Sequence, residues 1–247
     1  MTSVTGQTDP LTAAAIPKLA PHLAARTTIV IAAYNEGSSI AEVVRELVTS
    51  YPHVVVVDDG SEDATAEEAR AAGATVLTHF VNRGQGAALQ TGITYAVADG
   101  ADYIVTFDAD GQHDMADLPA LLEPIDRGQV EICLGSRFLE RRGKIPASRR
   151  ILLYFAVLFM RITSRARLSD AHNGLRAFSR RAARELDLKL DRMAHASELI
   201  DQVVASGLPY IEVPVRIRYT DYSMRKGQRG TAALRVAFDY LMGRLIR

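Results

Sequence analysis

Three acids crowd one short stretch, "YIVTFDADGQHD", residues 103–114. Apolar and β-branched residues run straight into Asp108, Asp110 and Asp114, with Gln112 and His113 among them. Carboxylates this close repel, and each makes its neighbours harder to ionise. A bound cation removes the conflict. An Asp-x-Asp pair at a strand end suits Mg2+ or Mn2+, hard ions that take oxygen ligands and share them with phosphates. Gln112 and His113 stand where they can complete or orient such a shell. A calcium EF-hand loop is excluded: it needs glycine sixth and glutamate twelfth, whereas Gly111 is fourth and Pro119 twelfth. Taken alone, the pair reads more readily as a polar turn.

Two more clusters bear on the choice. In "DDGSED" (residues 58–63), Gly60 allows a tight turn and Ser61 or Asp63 can cap a following helix. Asp58 or Asp59 can accept hydrogen bonds from a base or ribose, or simply favour the helix start. In "NRGQGAAL" (residues 82–89), Gly84 and Gly86 free the backbone, Arg83 brings charge, and a helix N-terminus follows. It is neither a dinucleotide fingerprint nor a P-loop, since Leu89 holds the third glycine's place and no Gly-Lys-Ser/Thr ending is present.

These clusters need elements to position them. "TTIVIAA", "HVVVVDD", "ATVLTH" and "DYIVTFD" read as strands, the first a continuous apolar run buried on both faces. Between them, helices are expected from Ser38 or Ser39 to about Val48, over "DATAEEARAAG" to Gly73, and over "GQGAALQTGITYAVADG" to about Gly100. This alternation implies an α/β fold with a mostly parallel, Rossmann-like sheet flanked by helices. Ligands then bind beyond the carboxyl ends of the strands. "AYNEG", "DDGSED", "HFVNRGQG" and "DADGQH" all fall on that edge. Beyond Gly135 the pattern loosens into an arginine-rich loop, an apolar helix, "SDAHNGLRAFS", two helices, a strand "YIEVPVRIRY" and a C-terminal helix.

Together the clusters describe a site for a nucleoside diphosphate with a divalent ion. "AAYNEG", "VVVVDDGSEDAT", "NRGQGAALQTGI", "TFDADGQHD" and "LGSRF" resemble, in order and spacing, the donor half of family 2 glycosyltransferases of the GT-A fold. The likeness is greatest to the dolichol- or polyprenol-phosphate sugar transferases. It is strong over Thr27–Phe138 and looser to about Arg229. The resemblance implies a hexosyltransferase, with Tyr34 and Glu36 on the nucleoside and Asp59 beside Asp58 on the base. It puts Arg83 against base and ribose, with Ala33 and Gly84 in the same nucleotide-sugar pocket. Asp108 and Asp110 hold Mn2+ or Mg2+ and the diphosphate, with Gln112 a further ligand. Many relatives carry proline where Ala32 or Ala33 stands, which alters the base pocket and not the fold. The implied reaction inverts the anomeric centre in one displacement.

The acceptor side follows from charge. Between Gly135 and Arg184 stand thirteen Lys/Arg and two acids, so a segment of +11 sits in a chain whose net charge is zero. A polyanionic or membrane-surface partner fits it. By resemblance, Arg137 and either Arg149 or Arg150 grip a lipid phosphate, a task suited to the guanidinium fork. The helix after Arg150 has an apolar middle and arginines at its ends, and suits a membrane interface. Asp170, His172 and Asn173 resemble the residues that finish the acceptor site, with Arg176 facing a phosphate. His172 is the base if the acceptor is an alcohol. "YTDYSMRKGQRG" resembles a loop that closes over the donor diphosphate through Lys226 and Arg229.

The expected organisation is a disordered leader over 1–25 and a GT-A domain over 26–230, divided at 138/139. An amphipathic C-terminal helix follows over 231–247. No apolar run reaches eighteen residues, so no membrane-spanning helix is expected. One cysteine, Cys133, fits a reducing compartment and a core position. The expected setting is therefore cytoplasmic and peripheral at the inner face of the cell membrane. Expected partners are a nucleotide-sugar, with UDP favoured over GDP or dTDP, and polyprenyl phosphate. A homo-oligomer is compatible with the sequence. Nucleic acid is not expected, since tryptophan is absent and aromatics are 6% of residues. The alternatives are a soluble family 2 enzyme with a sugar-hydroxyl acceptor and a non-catalytic nucleotide-sugar-binding module.

Overall fold

The computed structural model describes residues 20–139, 168–170, 173–189 and 194–218. Seven strands form one sheet: β1 (Thr27–Ala33), β2 (His53–Asp58), β3 (Thr75–Thr78), β4 (Tyr103–Asp108), β5 (Ile132–Ser136), β6 (Arg176–Ser179) and β7 (Tyr210–Pro214). Their order is β3-β2-β1-β4-β6-β5-β7. The first four are parallel, as the alternation of elements requires. β6 runs antiparallel between β4 and β5, and β7 is parallel to β5. The sheet is thus mostly parallel, as expected. The strand "RAFS" was not foreseen, because it is only four residues long and lies in a polar stretch.

Helices cover both faces. On one lie α1 (Pro21–Arg26), α2 (Ile40–Val48), α3 (Thr65–Ala71) and α5 (Leu118–Asp126), packed on Ile29, Ile31, Val54, Val56, Val105 and Phe107. On the other lie α4 (Gln85–Ala98), α6 (Arg180–Glu185) and α7 (Ala194–Ser206), packed on Val30, Ile104, Ile132, Leu134 and Phe178. Successive strand residues feed opposite layers, which is why these strands read as unbroken apolar runs. Each fully buried Ile or Phe contributes about 1.5–3 kcal/mol of transfer free energy. α2 buries Ile40, Val43, Val44 and Leu47, the stripe its spacing predicts.

Three local expectations are corrected. The leader expected to run to residue 25 gives way to α1, whose Leu23 and Ala24 join the core. Ser39 stands at the start of α2, but its hydroxyl bonds Glu36 rather than capping the helix amides. The strand expected over residues 210–219 stops at Pro214; beyond it, Ile217 makes a single bridge to His113.

Candidate active site

Register builds the site. Ala33 pairs with Asp58, Asp58 with Thr78, and Ala32 with Asp108. The loops after β1, β2, β3 and β4 therefore open on one edge. β5 ends on that edge and β6 begins there, since Arg176 pairs with both Thr106 and Leu134.

The three acids of the 103–114 stretch meet three fates. Asp114 is paired with Arg218, Nη2 to Oδ1 2.8 Å. Asp108 Oδ2 lies 2.8 Å from His113 Nε2. The His113 ring is buried edge-on to Phe107, and its Nδ1 has no hydrogen-bond partner among the described residues. Burial pushes the Asp108 carboxyl up, but His113, Arg176 and His195 outweigh it and hold it below the ordinary carboxylate value. Asp110 has no ion-pair partner among the described residues. Burial, and then the charge of Asp108, push its carboxyl above the ordinary value. Gln112 braces it, donating from its backbone amide at 3.0 Å and from Nε2 at 2.7 Å.

An uncompensated carboxylate beside an ionised one is the donor set a divalent cation relieves. Among the described residues no three His, Cys, Asp or Glu side chains form a metal cluster. A cation at this pair would complete its shell with oxygens from outside, as Mg2+ and Mn2+ do with diphosphates. The residues present fit the expected metal.

The donor loops are stitched together by backbone amides. Asn35 N–H donates to Ser61 Oγ, Glu36 N–H to Thr65 Oγ1, Gly37 N–H to Asp63 Oδ2, and Glu62 N–H to Asn35 Oδ1. Asp63 serves both sides, its Oδ1 accepting from Thr65 N–H, the first amide of α3, and its Oδ2 from the 35–37 loop, whereas Ser61 Oγ holds that loop alone. Tyr34 is left 41% exposed at the rim. Asp58 is buried and accepts from Ser61 N–H. Asp59 is 1% exposed and accepts from Arg83 N–H at 3.0 Å and Gly84 N–H at 2.6 Å. Gly84 has φ 93°, open to glycine and strained for other residues, and α4 begins at the next residue. The two carboxylates expected to meet the base are thus also the props of the turn around it.

The other half of the edge is built from buried charge. Arg137 forks onto Asp170 through Nε at 2.6 Å and Nη2 at 2.7 Å. Glu212 of β7 accepts from the amides of Ser169 and Asp170. Asn173 and Arg176 are buried, and Asn173 Nδ2 and Arg176 Nη1 have no hydrogen-bond partner among the described residues. Burial lowers the Arg176 guanidinium to about 10, against the pull of Asp108 and Asp170. Gly174 leaves no space for a side chain: a Cβ there would sit 2.3 Å from both Asp108 oxygens. Arg149, Arg150, His172, Lys226 and Arg229 lie outside the described residues. The sequence reading missed His195, Ser197 and Glu198, buried on α7. Polar residues in an otherwise apolar helix, "AHASELI", were the available signal.

The family model "Glycosyl transferase family 2" matches residues 28–187. The chain belongs to glycosyltransferase family 2. It is 30% identical over 236 residues to a UDP-N-acetylglucosamine–dolichyl-phosphate N-acetylglucosaminyltransferase of Methanococcus voltae, covering 87% of this chain and 94% of that one. It is 29% identical over 240 residues to the polyprenol monophosphomannose synthase of Mycolicibacterium smegmatis, covering 90% and 89%. Its fold matches a glucosyl-3-phosphoglycerate synthase from Mycobacterium tuberculosis, solved in complex with Mn2+ and UDP-glucose. That match has a TM-score of 0.64 and 20% identity, and covers 92% of this chain and 84% of that one. The protein is therefore a glycosyltransferase with a GT-A type sheet. No helix among the described residues is long and apolar enough to cross a membrane.

Proposed function

We propose that this family 2 glycosyltransferase moves a hexose from a nucleoside diphosphate, UDP first among the candidates, to polyprenyl phosphate. It works peripherally at the inner face of the cell membrane. The observation that carries the reading is the contrast across Asp108. On one side Asp110 has no ion-pair partner among the described residues; on the other, Arg137 and Arg176 line the edge and Asp170 is bound by Arg137. A phosphate acceptor needs cationic positioning and no general base, since it is already anionic near neutral pH. The two relatives named for dolichyl and polyprenyl phosphates support the same acceptor class.

In this reading the nucleoside lies between Tyr34 and Glu36 on one side and Ala33, Arg83 and Gly84 on the other, above Asp58 and Asp59. Asp108 and Asp110, with Gln112 beside them, would hold Mn2+ or Mg2+, whose Lewis acidity stabilises the departing diphosphate. His113 keeps Asp108 in one orientation. Arg137, with Arg149 or Arg150, Asn173 and His172, receives the acceptor. One acceptor phosphate oxygen bonds the anomeric carbon as the bond to the diphosphate oxygen breaks, and the configuration inverts. Lys226 and Arg229 act on the donor diphosphate.

The test is release of nucleoside diphosphate from a panel of sugar nucleotides with Mn2+ or Mg2+, with and without polyprenyl phosphate. Release that needs both lipid and metal is expected. Release indifferent to the lipid would overturn the acceptor and point to a hydroxyl substrate.

A further inference from the structure

One part-buried histidine stands beside the donor loops. His79 follows β3, and its backbone amide donates to Asp58 O at 2.9 Å, prolonging the ladder. Its side chain points inward, 11% exposed. Nδ1 lies 2.7 Å from Asp59 Oδ1, and Nε2 lies 3.0 Å from Thr91 Oγ1. The Thr91 hydroxyl in turn donates to Ala87 O within α4. Asp59 Oδ1 also accepts from Arg83 N–H, and Oδ2 from Gly84 N–H. An unbroken chain of bonds therefore runs from α4 through His79 and Asp59 to the turn that opens the helix.

We infer that His79 is a positioning residue for the nucleotide: it orients Asp59 so that the carboxylate holds the Arg83–Gly84 turn in its binding conformation. The physical reason is rotational. A buried carboxylate serving two amides on one side swings unless another donor fixes it, and a hydrogen bond to a charged group is among the stronger ones. His79 supplies that donor from a ring locked at its far nitrogen by Thr91. The chain entering the turn also runs close against Gly60, where a Cβ would lie 2.8 Å from Val81 C and 2.9 Å from Asn82 N. Gly84 has positive φ, and the two residues before Asn82, Phe80 and Val81, are exposed apolar side chains. The inference rests on the reading of the Arg83–Gly84 turn as part of the donor site.

The two ring nitrogens can be separated by substitution. Asparagine places an amide where Nδ1 stood and keeps the bond to Asp59. Glutamine reaches the Nε2 position and keeps Thr91 but loses Asp59. Two readouts are taken on His79→Asn and His79→Gln: hydrogen exchange of the segment 82–86, and donor KM and kcat with a UDP-sugar. His79→Asn is expected to stay near wild type in both. His79→Gln is expected to lose protection over 82–86 and raise donor KM about tenfold, with kcat within about twofold. Equal behaviour of the two variants overturns the relay. Lost protection in His79→Gln with unchanged donor KM leaves the Asp59 tether standing, but overturns His79 as a nucleotide-positioning residue and removes this turn from the donor site.

Discussion

The donor and acceptor halves of the edge are held by different physics. Around Tyr34–Gly37 and Asp58–Thr65, neutral side-chain oxygens and carboxylates accept from backbone amides of the neighbouring loop. These are loops of adjacent parallel strands, so register alone brings them together. Around Asp170 the tie to Arg137 is an ionic fork largely out of solvent, and Glu212 holds the same loop through the amides of Ser169 and Asp170; these bonds join residues 33 to 43 positions apart. A half built on amides tolerates a lost bond, because water and spare lone pairs take it up. A half built on buried charges does not, because a stranded ion has nothing to replace its partner.

Substitutions at the meeting point of the halves should have the largest effect. Asp110→Ala removes the acid of the 103–114 stretch that has no ion-pair partner among the described residues, and turnover should fall roughly 10²–10³-fold. Steady-state nucleoside diphosphate release checks this, with circular dichroism showing the fold intact. Asp170→Ala removes the ionic fork from Arg137, at a cost of about 3–5 kcal/mol. Denaturant unfolding measures it. The same experiment on Ser61→Ala, in the amide-built half, should lose only about 1 kcal/mol; equal losses would erase the contrast drawn here.

Gly174→Ala probes the seam. Its methyl group would meet the Asp108 oxygens, and Asp108 must move. Since an ångström of misplacement can cost roughly 100-fold in rate, turnover should drop far more than thermal stability. Comparing kcat with Tm tests this.

The smallest effect concerns pH. The Asp110 carboxyl titrates above its ordinary value in the folded chain. The folded state therefore holds that proton more tightly than the unfolded state, and ionising Asp110 destabilises the metal-free fold. The penalty is absent below the ordinary carboxylate value and grows as pH rises through the raised one. With chelator present, Asp110→Asn should raise Tm at neutral pH by about 2 °C. The gain should vanish in acid. A variant less stable than wild type at neutral pH would contradict the assignment.

Much of the donor half was legible. Strands buried on both faces announce themselves as unbroken apolar runs, and polar clusters at their ends fall on one edge by the geometry of parallel crossovers. The pairing of Arg137 with Asp170 was not legible. Each carries its own expectation of an acceptor contact, and nothing local says that the two side chains also bind each other across 33 residues. His79 was passed over for a similar reason. It stands beside the glycine turn in sequence, but only the fold turns its ring back toward Asp59 and Thr91.

From residue types and spacing came the alternating architecture and the Asp108–Asp110 pair, and the expectation of family 2 came from the resemblance of five motifs in order. These depend on periodicity and on short-range order along the chain. Tertiary structure alone decided how each charge is compensated: Asp114 by Arg218, Asp108 by His113, Asp170 by Arg137, and Asp110 by no ion pair among the described residues. Compensation acts over a few ångströms in space, and distance along the chain does not report it.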